Sequence, residues 1–129
     1  MRYNRLKRTV MVDIGGKEYS FKFTIDDLAE LEDSLQNDER IISMFTNRQL
    51  PKIRTLITAF KLGLKADITD AEKTKLFEKF CEETSIDEVT KLYFSLIAVS
   101  NLLGASVSNE VLGNLGFETK DEENAGKNA

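Results

Sequence analysis

Residues 9–23 read TVMVDIGGKEYSFKF, and this stretch decides how the chain begins to fold. Apolar residues alternate with polar or flexible positions on both sides of Gly15-Gly16, which is the period-two pattern of strands that are buried on one face. A two-residue glycine loop suits a type I′ turn, because both central residues need positive φ. The stretch therefore predicts a β-hairpin with an apolar face that needs cover. Its register pairs Val12 with Tyr19 and Val10 with Phe21.

After the hairpin the apolar period changes from two to helical. Thr24 is a good N-cap, and the carboxylates of Asp26 and Asp27 favour the positive end of a helix that runs to about Gln36. A shorter helix is predicted from about 38 to 47. The buried stripe expected of the first helix is Ile25, Leu28, Ala29 and Leu31 or Leu35.

Three longer helices are predicted downstream. Pro51 suits the first turn of one helix, and capping boxes at residues 69–72 and 85–88 open the other two. The last of these runs to about Leu103 and stops at Gly104; it is apolar nearly all round over residues 92–99, as expected of a central, buried helix. The stripes of the first two are Ile53, Leu56, Ile57, Phe60 and Leu64, and then Leu76, Phe77, Phe80 and Cys81.

The end of the chain is less regular. Val107, Val111, Leu112 and Leu115 predict one more short helix, weakened by glycines. Residues 118–129 are polar, charged and small, a composition typical of a disordered tail. The sequence therefore predicts an α+β fold: one domain over residues 1–117, with an N-terminal β-hairpin followed by about five helices, and a disordered charged tail.

The composition lacks most of the residue types on which enzymes commonly rely for catalysis. The 129 residues contain no histidine and a single cysteine, Cys81, so there is no Ser-His-Asp triad, imidazole metal ligand or internal disulfide. The residues around Gly16-Lys17 and Gly126-Lys127 do not fit a phosphate loop, and no dinucleotide or calcium motif occurs. We therefore assign no catalytic, cofactor-binding or metal-binding residue and expect a protein that is not an enzyme.

Two weaker hypotheses, a cation site and a reactive cysteine, each have a simpler structural alternative. Asp26, Glu30 and Asp33 fall on one side of a helix and offer ligands to a hard cation, but solvated acidic faces are common. Cys81 lies beside Phe77 and Phe80, where burial is expected to raise the pKa of its thiol and leave it inert. We favour the solvated face and the structural cysteine.

Charge is unevenly placed along the chain. Arg2, Arg5, Lys7 and Arg8 give the first eight residues +4, within a total of −4. We interpret this basic end as a solvated, frayed terminus, and the acidic remainder argues against nucleic acid as the main partner. The longest apolar run, residues 92–99, is far too short to span a bilayer. With no signal-peptide pattern either, we expect a cytoplasmic protein.

Protein–protein binding is the remaining class. Leu112, Leu115 and Phe117 form an apolar segment between the last strong helix and the predicted tail, and are our candidate partner-binding residues. The alternative is that they pack back onto the helices. The apolar stretch at 92–99 is compatible with burial in a monomer or in a homo-oligomer.

Residues 16–32, GKEYSFKFTIDDLAELE, resemble the small tail assembly chaperones of long-tailed phages and prophages, including the related proteins of gene-transfer agents. The run KIRTLITAFKLGL at 52–64, ITDAE at 68–72 and the apolar helix around 92–99 agree with that family in order. The resemblance covers about residues 10–104. It consists of hydrophobic patterns and caps, with no chemical signature.

The resemblance implies a non-enzymatic role without cofactors in the cytoplasm of a bacterial host. Such chaperones bind the apolar, helical tape-measure protein, keep it soluble and help tail-tube subunits assemble around it. Many also exist in a longer, frameshifted form, and Gly126-Lys127-Asn128 is compatible with a slippery run of adenines. Two alternatives stay open: a virion structural protein of the tail tube or tail completion, and a small prophage regulator that binds a host protein or nucleic acid through its basic N-terminus.

Overall fold

Three antiparallel strands and five helices make up the part of the chain that the computed structural model describes, namely residues 1–35, Ile41 and residues 50–114. The sheet has the order β1-β2-β3, and the helices follow it in sequence, so the predicted α+β class is confirmed. The elements are β1 Arg2–Asn4, β2 Thr9–Ile14, β3 Lys17–Phe21, α1 Ile25–Asp33, α2 Ile53–Gly63, α3 Asp70–Glu83, α4 Ile86–Ser100 and α5 Ala105–Asn114.

The hairpin of β2 and β3 has the predicted register. Val12 pairs with Tyr19 and Val10 with Phe21. Gly15 and Gly16 have φ angles of 61° and 79°, the positive values that the two-residue turn requires. Its apolar face is covered, because Val10, Val12 and Phe21 are buried against helices.

The interpretation of the basic N-terminus as a frayed end is wrong. Residues 2–4 form β1, which pairs antiparallel with β2. The intervening turn at residues 5–8 is closed by the buried Asn4, whose side-chain Oδ1 accepts a hydrogen bond from the Lys7 N–H at 3.0 Å. The sequence signal is weak because the strand is short and the left-handed turn position is occupied by Arg8, with φ of 58°, instead of glycine.

Helix α1 begins as predicted and ends earlier. Thr24 and Asp27 form a reciprocal capping box, and the helix ends at Asp33 instead of about residue 36. Ile25 and Ala29 are exposed, contrary to expectation. At 100° per residue they lie about 90° and 130° from the line midway between the buried Leu28 and Leu31.

Helix α2 begins at Ile53, which is later than the position of Pro51 in the sequence suggests. Lys52 is the N-cap, with an extended backbone at φ −70° and ψ 157°, so Pro51 precedes the helix instead of lying in its first turn. Leu56, Phe60 and Leu64 are buried as expected. Ile53 is exposed because it is the first helical residue, at the end of α2 that lies farthest from the sheet contact made by Leu64.

The caps of α3 and α4 are where the sequence predicts them. The Thr69 and Ser85 hydroxyls accept hydrogen bonds from the backbone N–H groups of Glu72 and Glu88. Helix α4, however, ends at Ser100 instead of about Leu103, because Asn101 takes the left-handed conformation at φ 61°. Asparagine tolerates this conformation better than most residues. Gly104 then precedes α5, the predicted short helix.

The core lies between the sheet and α4. Helix α4 contacts β1, β2 and the helices α2, α3 and α5, which confirms the prediction of a central buried helix. Phe60 of α2 joins the layers, with ring centroids 5.0 Å from Phe21, 5.4 Å from Phe77 and 6.4 Å from Phe80. The helix predicted at 38–47, apart from the buried Ile41, and the tail predicted at 118–129 lie outside the described residues.

Candidate functional site

The structure separates the three candidate partner-binding residues. Leu112 is 7% exposed and belongs to the hydrophobic core, where α5 packs on α4. That position corresponds to the alternative in which the segment packs back onto the helices. Leu115 and Phe117 lie outside the described residues, so their assignment stays a prediction.

The acidic stripe of α1 faces solvent. Asp26, Glu30 and Asp33 are all exposed. Across residues 1–35 and 50–114, no three acidic, cysteine or histidine side chains lie close enough together to hold a metal ion. The stripe therefore corresponds to the solvated alternative.

Cys81 is half-buried on the apolar side of α3. Burial raises the pKa of its thiol, and the neighbouring Glu82 carboxylate raises it further. The expected direction of this shift is confirmed. Because the thiolate is the reactive form, a raised pKa leaves the thiol protonated and poorly nucleophilic at neutral pH.

A polar junction ties α1 to the end of α2 and to β3. The backbone N–H of Lys65 donates to the carbonyl of Ser20 at 2.9 Å. The Lys65 ammonium contacts a carboxylate oxygen of Asp27, also at 2.9 Å. Burial alone raises the pKa of Asp27, but hydrogen bonds from the Thr24 N–H and from Lys65 outweigh it and hold the pKa below its usual value. This junction is structural, because every group in it is used to hold elements together.

Tyr93 carries the one buried side-chain polar atom without a hydrogen-bond partner in the part of the chain that the structure describes. The residue is 1% exposed, and burial raises its pKa to about 12. It lines an apolar crevice between α2 and α4 that has no room for a water molecule. The other lining residues are Leu56, Ala59, Phe60, Val89, Leu92 and Leu96. An uncompensated buried hydroxyl is destabilising.

Two large apolar side chains are exposed where α2 begins. Leu50 is 78% exposed, and Ile53, the first residue of α2, is 62% exposed. We refer to residues 50–53 as the apolar corner. Helical periodicity assigns Ile53 to the buried stripe, so sequence reasoning missed this surface. An exposed apolar pair of this kind is a natural contact for another apolar surface.

The turn between β1 and β2 is the second unusual surface. Its four residues, Arg5, Leu6, Lys7 and Arg8, are all exposed, and Leu6 is 72% exposed. We refer to residues 5–8 as the basic tip. Sequence analysis identified its charges but not its ordered conformation, because the short strand β1 carries no strong period-two signal.

Comparisons of the chain with protein-family models, curated proteins and solved structures return no match. Within the described ranges, no helix is long and apolar enough to cross a membrane. The resemblance to tail assembly chaperones therefore stays a prediction from the sequence.

Proposed function

We propose that this chain is a non-enzymatic tail assembly chaperone, which binds the apolar tape-measure protein in the cytoplasm of a bacterial host and supports assembly of the tail tube. The resemblance over about residues 10–104 supports this role. The single structural observation that supports it is the apolar corner, where Leu50 and Ile53 are held outside the core.

The corner offers a modest but useful contact energy. Complete burial of a leucine or isoleucine side chain is worth about 1.5–3 kcal/mol. Covering the exposed parts of both residues by a partner helix therefore contributes roughly 2–4 kcal/mol.

Co-expression tests the proposal. When the chain is produced together with its proposed partner, the tape-measure protein, we expect the soluble fraction of that protein to rise and the two to co-purify. Replacing both Leu50 and Ile53 by serine removes most of the contact, and we expect affinity to fall roughly 30-fold or more.

The control is Ile25→Ser, which alters an isoleucine of similar exposure at the start of α1 and outside the corner. We expect it to leave co-purification unchanged. Unchanged solubility of the helical protein together with no co-purification would remove the proposal. Recovery of the chain as a stoichiometric component of purified particles would instead identify the virion structural alternative.

A further inference from the structure

We propose that the basic tip, residues 5–8, is a docking site for a short acidic segment of a partner protein that also presents an apolar side chain. The tip places three cations, Arg5, Lys7 and Arg8, around the exposed Leu6. This site does not depend on the proposed chaperone role or on the apolar corner.

The tip is held in place before any partner arrives. Its two ends belong to paired strands, with Asn4 opposite Thr9. The side chain of Asn4 is buried and accepts the Lys7 N–H at 3.0 Å. Because the backbone is already ordered, less conformational entropy is lost on binding than with a free terminus.

Arg8 places a positive charge at a turn position whose backbone conformation is unfavourable for arginine. Its φ of 58° is the left-handed conformation, which costs a residue with a side chain roughly 1–2 kcal/mol more than it costs glycine. The side chain is exposed, so this cost is not explained by burial. Residues held in sparsely populated backbone conformations are enriched at functional sites.

The distribution of charge favours a short acidic segment over nucleic acid. The first eight residues carry +4 and the whole chain carries −4, so residues 9–129 carry −8. A phosphate backbone longer than the tip would extend over a remainder that is acidic on balance. A short peptide ends within the tip, and charges beyond the screening length of about 8 Å contribute little to its binding.

Leu6 selects further between the two kinds of partner. It stands between cations, where a phosphate backbone has no apolar group to cover it. A protein segment with one apolar side chain among its carboxylates satisfies both parts of the tip, since the carboxylates pair with the cations and the apolar group covers Leu6.

Fluorescence anisotropy with the full-length chain tests this site. The probe is a fluorescein-labelled peptide in which acidic residues flank a single leucine, and we expect saturable binding that weakens as salt is raised. The triple variant R5E/K7E/R8E is expected to raise Kd about tenfold or more, because it places like charges against the peptide. The control variant K17E/R54E/K75E makes the same change in net charge at exposed positions outside the basic tip and the apolar corner, and it is expected to change Kd by less than about twofold.

A second pair of variants isolates the apolar contact. Leu6→Ser is expected to weaken binding about three- to tenfold, and to have no such effect on a peptide whose leucine is replaced by serine. Ile25→Ser, at an isoleucine of similar exposure outside the basic tip and the apolar corner, serves as the control. Circular dichroism of each variant verifies that the fold is retained.

Three results overturn the proposal. One is the absence of binding to the acidic peptide. Another is an equal loss of binding in the two triple variants, which indicates attraction by net charge alone. The third is tighter binding of duplex DNA or of phosphatidylglycerol vesicles than of the peptide, which assigns the tip to a polyanion of another class.

Discussion

At the scale of single residues, Tyr93 is the most unusual group in the core. Its ring fills space between α2 and α4, while its hydroxyl has no hydrogen-bond partner among residues 1–35, Ile41 and 50–114. The ring contributes apolar contact, including an edge-on contact with Phe94 at 5.2 Å between centroids. The hydroxyl loses its hydration on folding and gains nothing in return, so ring and hydroxyl act on stability in opposite directions.

We predict that Tyr93→Phe leaves the free energy of unfolding unchanged or raises it by about 1 kcal/mol, because it removes an uncompensated buried hydroxyl. Urea denaturation at pH 7 measures the effect. The control is Tyr19→Phe, at a partly exposed position on the hairpin, where we expect no change. A loss of more than about 1 kcal/mol in Tyr93→Phe would show that the hydroxyl is paired after all.

The same hydroxyl predicts a loss of stability at alkaline pH. Burial raises the pKa of Tyr93 from 10.0 to about 12, so the unfolded chain loses this proton first. Below pH 10 the Tyr93 hydroxyl is protonated in both the folded and the unfolded state, so it does not make the free energy of unfolding depend on pH. As the pH rises from 10 towards 12, deprotonation of the unfolded chain lowers the free energy of unfolding. We expect Tyr93→Phe to remove up to about 2–3 kcal/mol of this decline. The measurement is urea denaturation of both proteins between pH 9 and 12, and identical declines would contradict the prediction.

At the scale of elements, the hairpin turn is fastened to α3. The backbone N–H of Gly15 donates to Oε2 of Glu83 at 3.0 Å. A Cβ atom added at Gly15 would approach Cε of Lys79 to 2.6 Å. The turn therefore needs glycine for its positive φ, and the flexible end of the Lys79 side chain would also have to move aside for a Cβ atom at Gly15.

The two glycines of this turn predict a graded response. Gly15→Ala and Gly16→Ala both place a side chain in the left-handed region, and each is expected to destabilise the fold by about 1–2 kcal/mol. Gly16 has open space around it, so it measures the backbone cost alone. We expect Gly15→Ala to lose only slightly more stability, because the flexible end of the Lys79 side chain must also move. Equal losses in urea denaturation would mean that the contact with α3 contributes nothing.

At the scale of the whole molecule, α4 holds the layers together. It contacts both the sheet and the helices α2, α3 and α5, and residues 95–100 are all buried. A single central helix of this kind makes the strands and helices depend on one another. We therefore expect the domain to unfold as one cooperative unit.

Ile97→Ala tests this dependence. Ile97 is fully buried, and its truncation leaves a cavity, so we expect a loss of about 2–5 kcal/mol. Thermal denaturation followed by far-ultraviolet circular dichroism and by tyrosine fluorescence should give coincident transitions at a lower temperature. Leu102→Ala, in the exposed turn after α4, is the control and should change little. Separate transitions for the two signals would contradict the single unit.

The fold was predictable where the chain signals it locally. Gly15-Gly16 sets the hairpin register, and the hydroxyls of Thr24, Thr69 and Ser85 mark helix starts, because turns and caps depend on nearby residues. Strand β1 was missed because three residues carry little period-two signal and its turn uses an arginine where glycine is usual.

The candidate site was less predictable, because it depends on how the elements pack. Periodicity gives Ile53 a buried face, but whether a neighbour reaches that end of the helix is a tertiary property. Leu112 is a candidate partner-binding residue from the sequence because apolar character alone does not distinguish a contact with α4 from a contact with a partner. The missing partner of the Tyr93 hydroxyl has no local signal at all.

The order of strands and helices also has a consequence during synthesis. The three strands are consecutive, so the sheet is available to form as soon as Phe21 has left the ribosome. Helix α4, which covers its apolar face, begins 65 residues later. At about 5–20 residues per second this interval lasts roughly 3–13 s. During that time the face that carries Val10, Val12 and Phe21 is only partly covered, by α2 and α3, and slower translation prolongs its exposure to other nascent chains.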